Sequence, residues 1–146
     1  MTRAVVAVLT VLLLVACSDS LTVEQQVIAS LEAMEIAAEE GEHFDFMEYV
    51  ADPFDGQFEA MDRRGFHRFM IFQINQNRRL RAQFFPIHVR ETADKQATAD
   101  FNILITGGGG LFPEQGQLFK VETHWVNDGG QWLLSVANWT PVQLPD

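Results

Sequence analysis

The chain has 146 residues, of which 47% are hydrophobic, and its formal net charge at pH 7 is −10. This length supports one domain with one hydrophobic core, and the negative charge argues against nucleic acid or an anionic membrane surface as a general partner. The single cysteine excludes a disulfide within the chain, so the fold must be stabilised by packing.

The N-terminal residues have the pattern of a secretory signal. Arg3 gives a positive start, and residues 4–16 are uncharged, a stretch shorter than the roughly 20 residues that a membrane-spanning helix needs. Residues 14–17, Leu-Val-Ala-Cys, resemble the processing box of bacterial lipoproteins. The resemblance implies that residues 1–16 are a signal peptide removed before Cys17. It also implies diacylglycerol on the Cys17 sulfur and a fatty acid such as palmitate on its new amine.

The chemistry of the lone cysteine agrees with this interpretation. A thiolate is the nucleophile that a thioether-linked lipid requires, and two or more acyl chains hold a protein stably on a membrane. Residues 17–21 are then a lipidated tether and residues 22–146 a folded domain. The residue after the cysteine is Ser18 and not an aspartate. By resemblance to the sorting rules of Gram-negative bacteria, this implies the outer membrane, with the domain facing the periplasm. The alternative is a surplus or buried cysteine without lipid.

Two helices are predicted at the start of the domain. Thr22 and Gln25 fit a capping box, and apolar residues then recur at helical spacing until Gly41 ends the first helix after about Glu40. A short second helix is predicted around residues 44–50, ending before a proline because the preceding residue disfavours helix. A turn at Asp55-Gly56 should follow.

A third helix is predicted over residues 62–79 and is amphipathic. Its apolar side holds Phe66, Phe69, Met70 and Ile74, and its opposite side holds Arg64, Arg68, Arg78 and Arg79. Residues 19–62 contain thirteen acidic residues and no Lys or Arg. The arginines therefore either balance the acidic helices or, through Arg64, Arg68 and Arg78, form a face for an anionic ligand or partner.

Four β-branched or aromatic runs follow the helices and predict strands. They cover residues 82–91, 96–106, 116–127 and 131–142. Helices first and an antiparallel meander afterwards indicate an α+β domain with the helices packed on one face of the sheet.

The order and spacing of these elements over residues 22–140 resemble the nuclear-transport-factor-2-like superfamily, also called the cystatin-like cone. The most recognisable piece is VETHWVNDGGQWLLSVANW, residues 121–139, a strand, an Asp-Gly hairpin and a tryptophan-led last strand. Residues 62–89 are also similar to an exported bacterial subgroup, for which the resemblance implies no activity. The implied fold has N-terminal helices on the concave face of a curved antiparallel sheet of four to six strands. This fold hosts isomerases, dehydratases, binding proteins and assembly domains.

Alternation along the strands predicts which side chains face the inside of the cone. The candidate pocket lining is Tyr49, Phe69, Met70, Phe101 and Trp125. Aromatic walls with few polar groups suit a small apolar ligand, although the same side chains could interlock as a filled core. His88, Glu122 and His124 should lie on the outer sheet face, where a zinc site is a weaker interpretation than a polar surface or a homodimer contact.

No catalytic residue, metal or cofactor is predicted. Superfamily enzymes similar to steroid isomerases pair a tyrosine with a protonated acid, and those similar to scytalone dehydratase use histidines inside the cone; this sequence fits neither pattern. The inner polar candidates are His43, Asp45, Tyr49, Thr123 and Ser135. The leading hypothesis is a lipid-anchored periplasmic domain that binds a small apolar ligand or an envelope partner without catalysis. The alternatives are a small lyase or isomerase acting in the cone and a structural accessory of an envelope complex.

Overall fold

A computed structural model of the chain describes residues 20–77, 79–107 and 116–143. The predicted signal peptide, Cys17 and Arg78 lie outside the described residues. The described part holds three helices and seven strands. They are α1 (Val23–Glu40), α2 (His43–Glu48), β1 (Val50–Gly56), β2 (Met61–Asp62), α3 (Arg63–Gln76), β3 (Arg81–Phe84), β4 (His88–Ala93), β5 (Gln96–Thr106), β6 (Gln117–Asp128) and β7 (Gln131–Pro141).

Both ends of α1 are set by local chemistry that the sequence predicted. The backbone N–H of Gln25 donates to Thr22 Oγ1 at 3.2 Å, and the Thr22 N–H donates to Gln25 Oε1 at 2.9 Å, which is the predicted capping box. Gly41 ends the helix at φ 83°, a left-handed conformation that glycine adopts without strain. The predicted first helix is confirmed.

The third helix is shorter than predicted. Asp62 caps its start, accepting the Gly65 N–H at 2.7 Å. At the other end, Asn77 leaves helical geometry at φ −113°, and its Nδ2 donates to Gln73 O at 2.9 Å. Asparagine side chains compete with the helix for backbone partners, so α3 ends at Gln76 rather than at Arg79.

The sheet order is β2-β1-β7-β6-β5-β3, with β4 also paired to β5. Strands β5, β6 and β7 form the predicted antiparallel meander. The run predicted over residues 82–91 is divided into β3 and β4, which pair with different parts of β5. The division falls at Pro86, which lacks the N–H that a continuous strand would donate.

The α+β class is confirmed, but the sheet is mixed rather than purely antiparallel, and its described part has seven strands rather than four to six. The segment predicted to turn at Asp55-Gly56 is strand β1, which pairs in parallel with β7 through Asp55↔Val136 and Gly56↔Ala137. Its register is interrupted between Val50 and Asp55, around Pro53. Pairing with β7 overrides the local turn signal, because strand formation depends on neighbouring strands more than on intrinsic preference.

The helices pack against one face of the curved, unclosed sheet. Helix α1 contacts β3, β4 and β7, while α3 contacts β1 and β2. The main core joins apolar residues of all three helices to the inner rows of β5, β6 and β7. No helix within the described residues has the length and apolar character to cross a membrane.

Candidate functional site

An apolar cavity of about 190 Å³ lies between the helices and the inner face of the sheet. Its wall is built by α1, α2 and α3 on one side and by β3, β5, β6 and β7 on the other. The lining residues are Leu31, Met34, Glu35, Ala38, Phe46, Phe66, Phe69, Met70, Gln73, Leu80, Ala82, Phe84, Phe101, Ile103, Ile105, Phe119, Val121, Thr123, Leu134, Ala137 and Trp139. The cone is therefore not completely filled by its own side chains.

Aromatic pairs give the wall its shape. Phe69 of α3 stacks on Trp139 of β7 with ring centroids 5.4 Å apart, and Phe84 meets Phe101 edge to face at 5.1 Å. Offset and edge-to-face pairs of this kind are favourable beyond the apolar area that they bury. All four of these rings line the cavity.

The predicted lining residues fall into two groups. Phe69, Met70 and Phe101 lie in the cavity wall, whereas Trp125 and Tyr49 do not. Trp125 is 1% exposed and packs in the core beyond Thr123, so it belongs to the filled part of the cone. Tyr49 caps the end of α2, and its carbonyl accepts the Leu134 N–H at 2.8 Å, which fixes it beside β7.

Trp139 lines the cavity but was not among the predicted lining residues, and β7 contains a bulge before it. Trp125 pairs with Leu134 and His124 with Val136, so Ser135 is an extra residue, and its hydroxyl donates to His124 O at 3.1 Å. Strict alternation from Leu134 would aim residue 136 inward. The extra residue reverses the alternation, so the next two lining residues of β7 are Ala137 and Trp139.

Among the described residues, the wall includes the polar side chains of Glu35, Gln73 and Thr123. Thr123 is buried and both donates to Ala99 O at 2.7 Å and accepts from Trp125 Nε1 at 2.8 Å. Gln73 is 3% exposed, and both of its amide atoms lack a hydrogen-bond partner in the described part of the chain. Burial, reinforced by the carboxylates of Glu39 and Glu32, raises the pKa of Glu35 above its ordinary value.

The other polar candidates lie outside the cavity wall. His43 Nδ1 lies 2.9 Å from His67 Nε2, which joins the start of α2 to α3. Burial lowers the pKa of His67, and the nearby His43 and Arg63 lower it further. Asp45 is exposed, and Ser135 lies at the bulge of β7. Of the five predicted inner polar residues, only Thr123 lines the cavity.

The outer surfaces hold the remaining candidates. Arg64 and Arg68 are exposed on α3, and among the described residues no carboxylate lies within 4.0 Å of either. His88, Glu122 and His124 are exposed on the sheet. Within the described ranges, no three metal-binding side chains come together.

Comparison with solved structures identifies proteins of the same shape. A candidate dehydratase of the nuclear-transport-factor-2-like family from Streptomyces avermitilis superposes with a TM-score of 0.71 at 16% identity, over 83% of this chain and 97% of that one. A candidate scytalone dehydratase from Novosphingobium aromaticivorans gives 0.70 at 9% identity, covering 82% and 84%. A protein with a cystatin-like fold from Caulobacter vibrioides gives 0.68 at 14% identity, covering 82% and 89%.

Comparison of the sequence finds no matching family model and no matching curated protein. Likeness at 9–16% identity concerns the arrangement of the backbone and leaves the chemistry of the site to be argued from the residues. The chain has the cystatin-like cone fold of the nuclear-transport-factor-2-like proteins.

Proposed function

We propose that the protein binds a small apolar molecule inside the cone without transforming it, as a lipoprotein anchored in the outer membrane and facing the periplasm. The observation that carries the binding function is the apolar cavity of about 190 Å³. Small-molecule sites are concave and mostly apolar, with a few placed polar groups, and this cavity has that composition. A structural accessory would gain nothing from an unfilled core, because empty volume costs stability.

The anchoring part of the proposal rests on the sequence. The uncharged residues 4–16, followed by a cysteine at the end of Leu-Val-Ala-Cys, are the features that support lipid attachment at Cys17. A lipid anchor keeps a binding domain at the membrane surface, where apolar molecules concentrate. An envelope protein remains an alternative partner, either on the arginine face or on the outer sheet face.

Native mass spectrometry of the delipidated protein tests the binding function. We expect a fraction of the purified protein to carry an extra mass that is released by solvent extraction. The same spectra give the oligomeric state, and a dimer would support the homodimer considered from the sequence. A protein that carries no extra mass and takes up no apolar compound on incubation would contradict the binding function.

One observation favours a second candidate function, a lyase or isomerase acting in the cone. Glu35 lies in the cavity wall, and its raised pKa makes it a better proton carrier near neutral pH than an ordinary glutamate. Two of the solved structures of similar shape are candidate dehydratases. The test is to incubate the protein and its Glu35→Gln variant with a set of cyclic alcohols and ketones. Water loss or isomerisation by the parent alone would support catalysis.

A further inference from the structure

The polar groups in the cavity wall are not equally available to a ligand. Thr123 is engaged by Ala99 O and by the Trp125 indole. Glu35 is only partly buried and also borders a surface groove between α1 and β3, so its carboxylate lies at the rim of the cavity. Gln73 is the remaining polar side chain of the wall, and it is almost completely buried.

The amide of Gln73 has unmet hydrogen-bonding capacity. Both Oε1 and Nε2 are buried without a partner among the described residues, a situation that native proteins avoid because such groups lose their hydrogen bonds to water. One turn later, Asn77 Oδ1 is also unpartnered, but Asn77 is not part of the cavity wall. Asn77 packs closely against Gly107: a Cβ atom added to Gly107 would lie only 3.3 Å from the Cβ of Asn77. Gln73 differs from Asn77 in lining the cavity, so a change of its side-chain rotamer would bring the amide to a ligand.

We propose that the Gln73 amide is the hydrogen-bonding point of the cavity, and that the ligand is a neutral ring compound carrying one hydroxyl group. This inference rests on the proposed binding function. A hydroxyl both donates and accepts, so it pairs with Oε1 and Nε2 together. A carboxylate only accepts hydrogen bonds, so it would leave Oε1 of Gln73 unpaired. It would also bring a negative charge into an apolar space, at whose rim lies the carboxyl group of Glu35.

The size of the cavity limits the rest of the ligand. An engineered apolar cavity of about 150 Å³ holds benzene, so about 190 Å³ suits one ring with substituents or two fused rings. Naphthalene, 2-naphthol and 2-naphthoate are therefore matched probes. They share one ring system and differ in having no polar group, a hydroxyl or a carboxylate.

Isothermal titration of the full chain carrying Cys17→Ser with the three probes tests the proposal. We expect 2-naphthol to bind about two- to tenfold more tightly than naphthalene, the range that one net hydrogen bond provides, and 2-naphthoate to bind most weakly. Gln73→Met, which keeps the length of the side chain, should retain naphthalene binding and lose the preference for 2-naphthol. Gln76→Met, an exposed glutamine on the same helix, should behave as the parent.

The results distinguish the role of Gln73 from the binding function itself. Equal binding of naphthalene and 2-naphthol, or a preference that survives in Gln73→Met, would overturn the role of Gln73 and leave the binding function intact. No binding of any probe to the parent would overturn both. Circular dichroism checks the fold of Gln73→Met, and Gln73→Leu replaces it in the comparison if it does not fold.

Discussion

The indole Nε1 of Trp125 donates a hydrogen bond of 2.8 Å to Thr123 Oγ1, two residues earlier on the same strand. The threonine hydroxyl in turn donates to Ala99 O on β5. This chain of bonds lies where the cavity ends and the filled core begins, since Thr123 lines the cavity and Trp125 does not. Trp125 therefore stabilises the packed core and does not line the cavity.

Trp125→Ala should therefore destabilise the fold without removing the ligand site. Truncating a buried tryptophan typically costs ~3–5 kcal/mol through cavity formation, and denaturant unfolding measures that loss. Phe44→Ala is the control, since Phe44 is 69% exposed and its removal should change the free energy of unfolding little. A loss below about 1 kcal/mol for Trp125→Ala would show that its surroundings are open.

The hydrogen-bonded pair of His43 and His67 predicts a dependence of stability on pH. The folded-state pKa of His67 lies below its ordinary value of 6.5, so the unfolded chain binds this proton more readily than the folded chain. The contribution of His67 is therefore present above pH 6.5 and is lost as the pH falls towards the folded-state pKa. The melting temperature should drop between pH 8 and pH 5, and His67→Gln should reduce that drop. An identical drop in the variant would contradict this role of His67.

Cys17 carries the prediction of lipid attachment. Cys17→Ser removes the thiolate on which the lipid would be built, so the variant should incorporate no labelled palmitate and should remain as the longer precursor on a gel. Ser18→Ala leaves the thiol in place and should be processed as the parent. Equal labelling of the parent and Cys17→Ser would show that lipid attachment at this residue is wrong.

The arginines of α3 differ in what they do for stability. Replacing the exposed Arg64 and Arg68 by Gln should change the free energy of unfolding by ~0–1 kcal/mol, as for other exposed charges. Arg63 instead donates to Met47 O at 2.9 Å and Val50 O at 3.2 Å, so Arg63→Gln should cost about 1.5–3 kcal/mol because it removes charged hydrogen bonds. Chemical denaturation of both variants compares them. Equal losses would contradict the distinction, and loss of envelope function in a stable Arg64/Arg68 variant would support a partner on this face.

The three helices and the meander of β5, β6 and β7 were predictable because they depend on local signals. The capping box at Thr22 and the hairpin turn before Gln131 lie within a few residues of the structures that they set. Strand β1 was not predicted, because its proline and its Asp-Gly pair indicate a turn. It is a strand through its pairing with β7, about eighty residues away, and with the short β2.

Part of the candidate site was predictable because the periodicity of a helix or a strand is also a local signal. The 3.6-residue period of α3 and the alternation of β5 place Phe69, Met70 and Phe101 on inward faces. Gln73 was missed because a glutamine in a helix is ordinarily exposed, and nothing in its neighbours indicates that both amide atoms are buried. Whether an inward residue borders the cavity depends on how well all the inward side chains together fill the cone. No local signal in the sequence indicates this packing.

The most direct test of the binding function is to fill the cavity. Ala137 is buried in its wall, so Ala137→Phe places a ring in the empty volume and, with that volume available, should fold with a melting temperature close to that of the parent. Ala60→Phe adds the same ring at an exposed position and is the matched control. Titration with naphthalene should give saturable binding at one site in the parent and in Ala60→Phe, and no binding in a folded Ala137→Phe. Naphthalene binding that is unchanged in Ala137→Phe, or absent from the parent, would contradict a ligand site inside the cone.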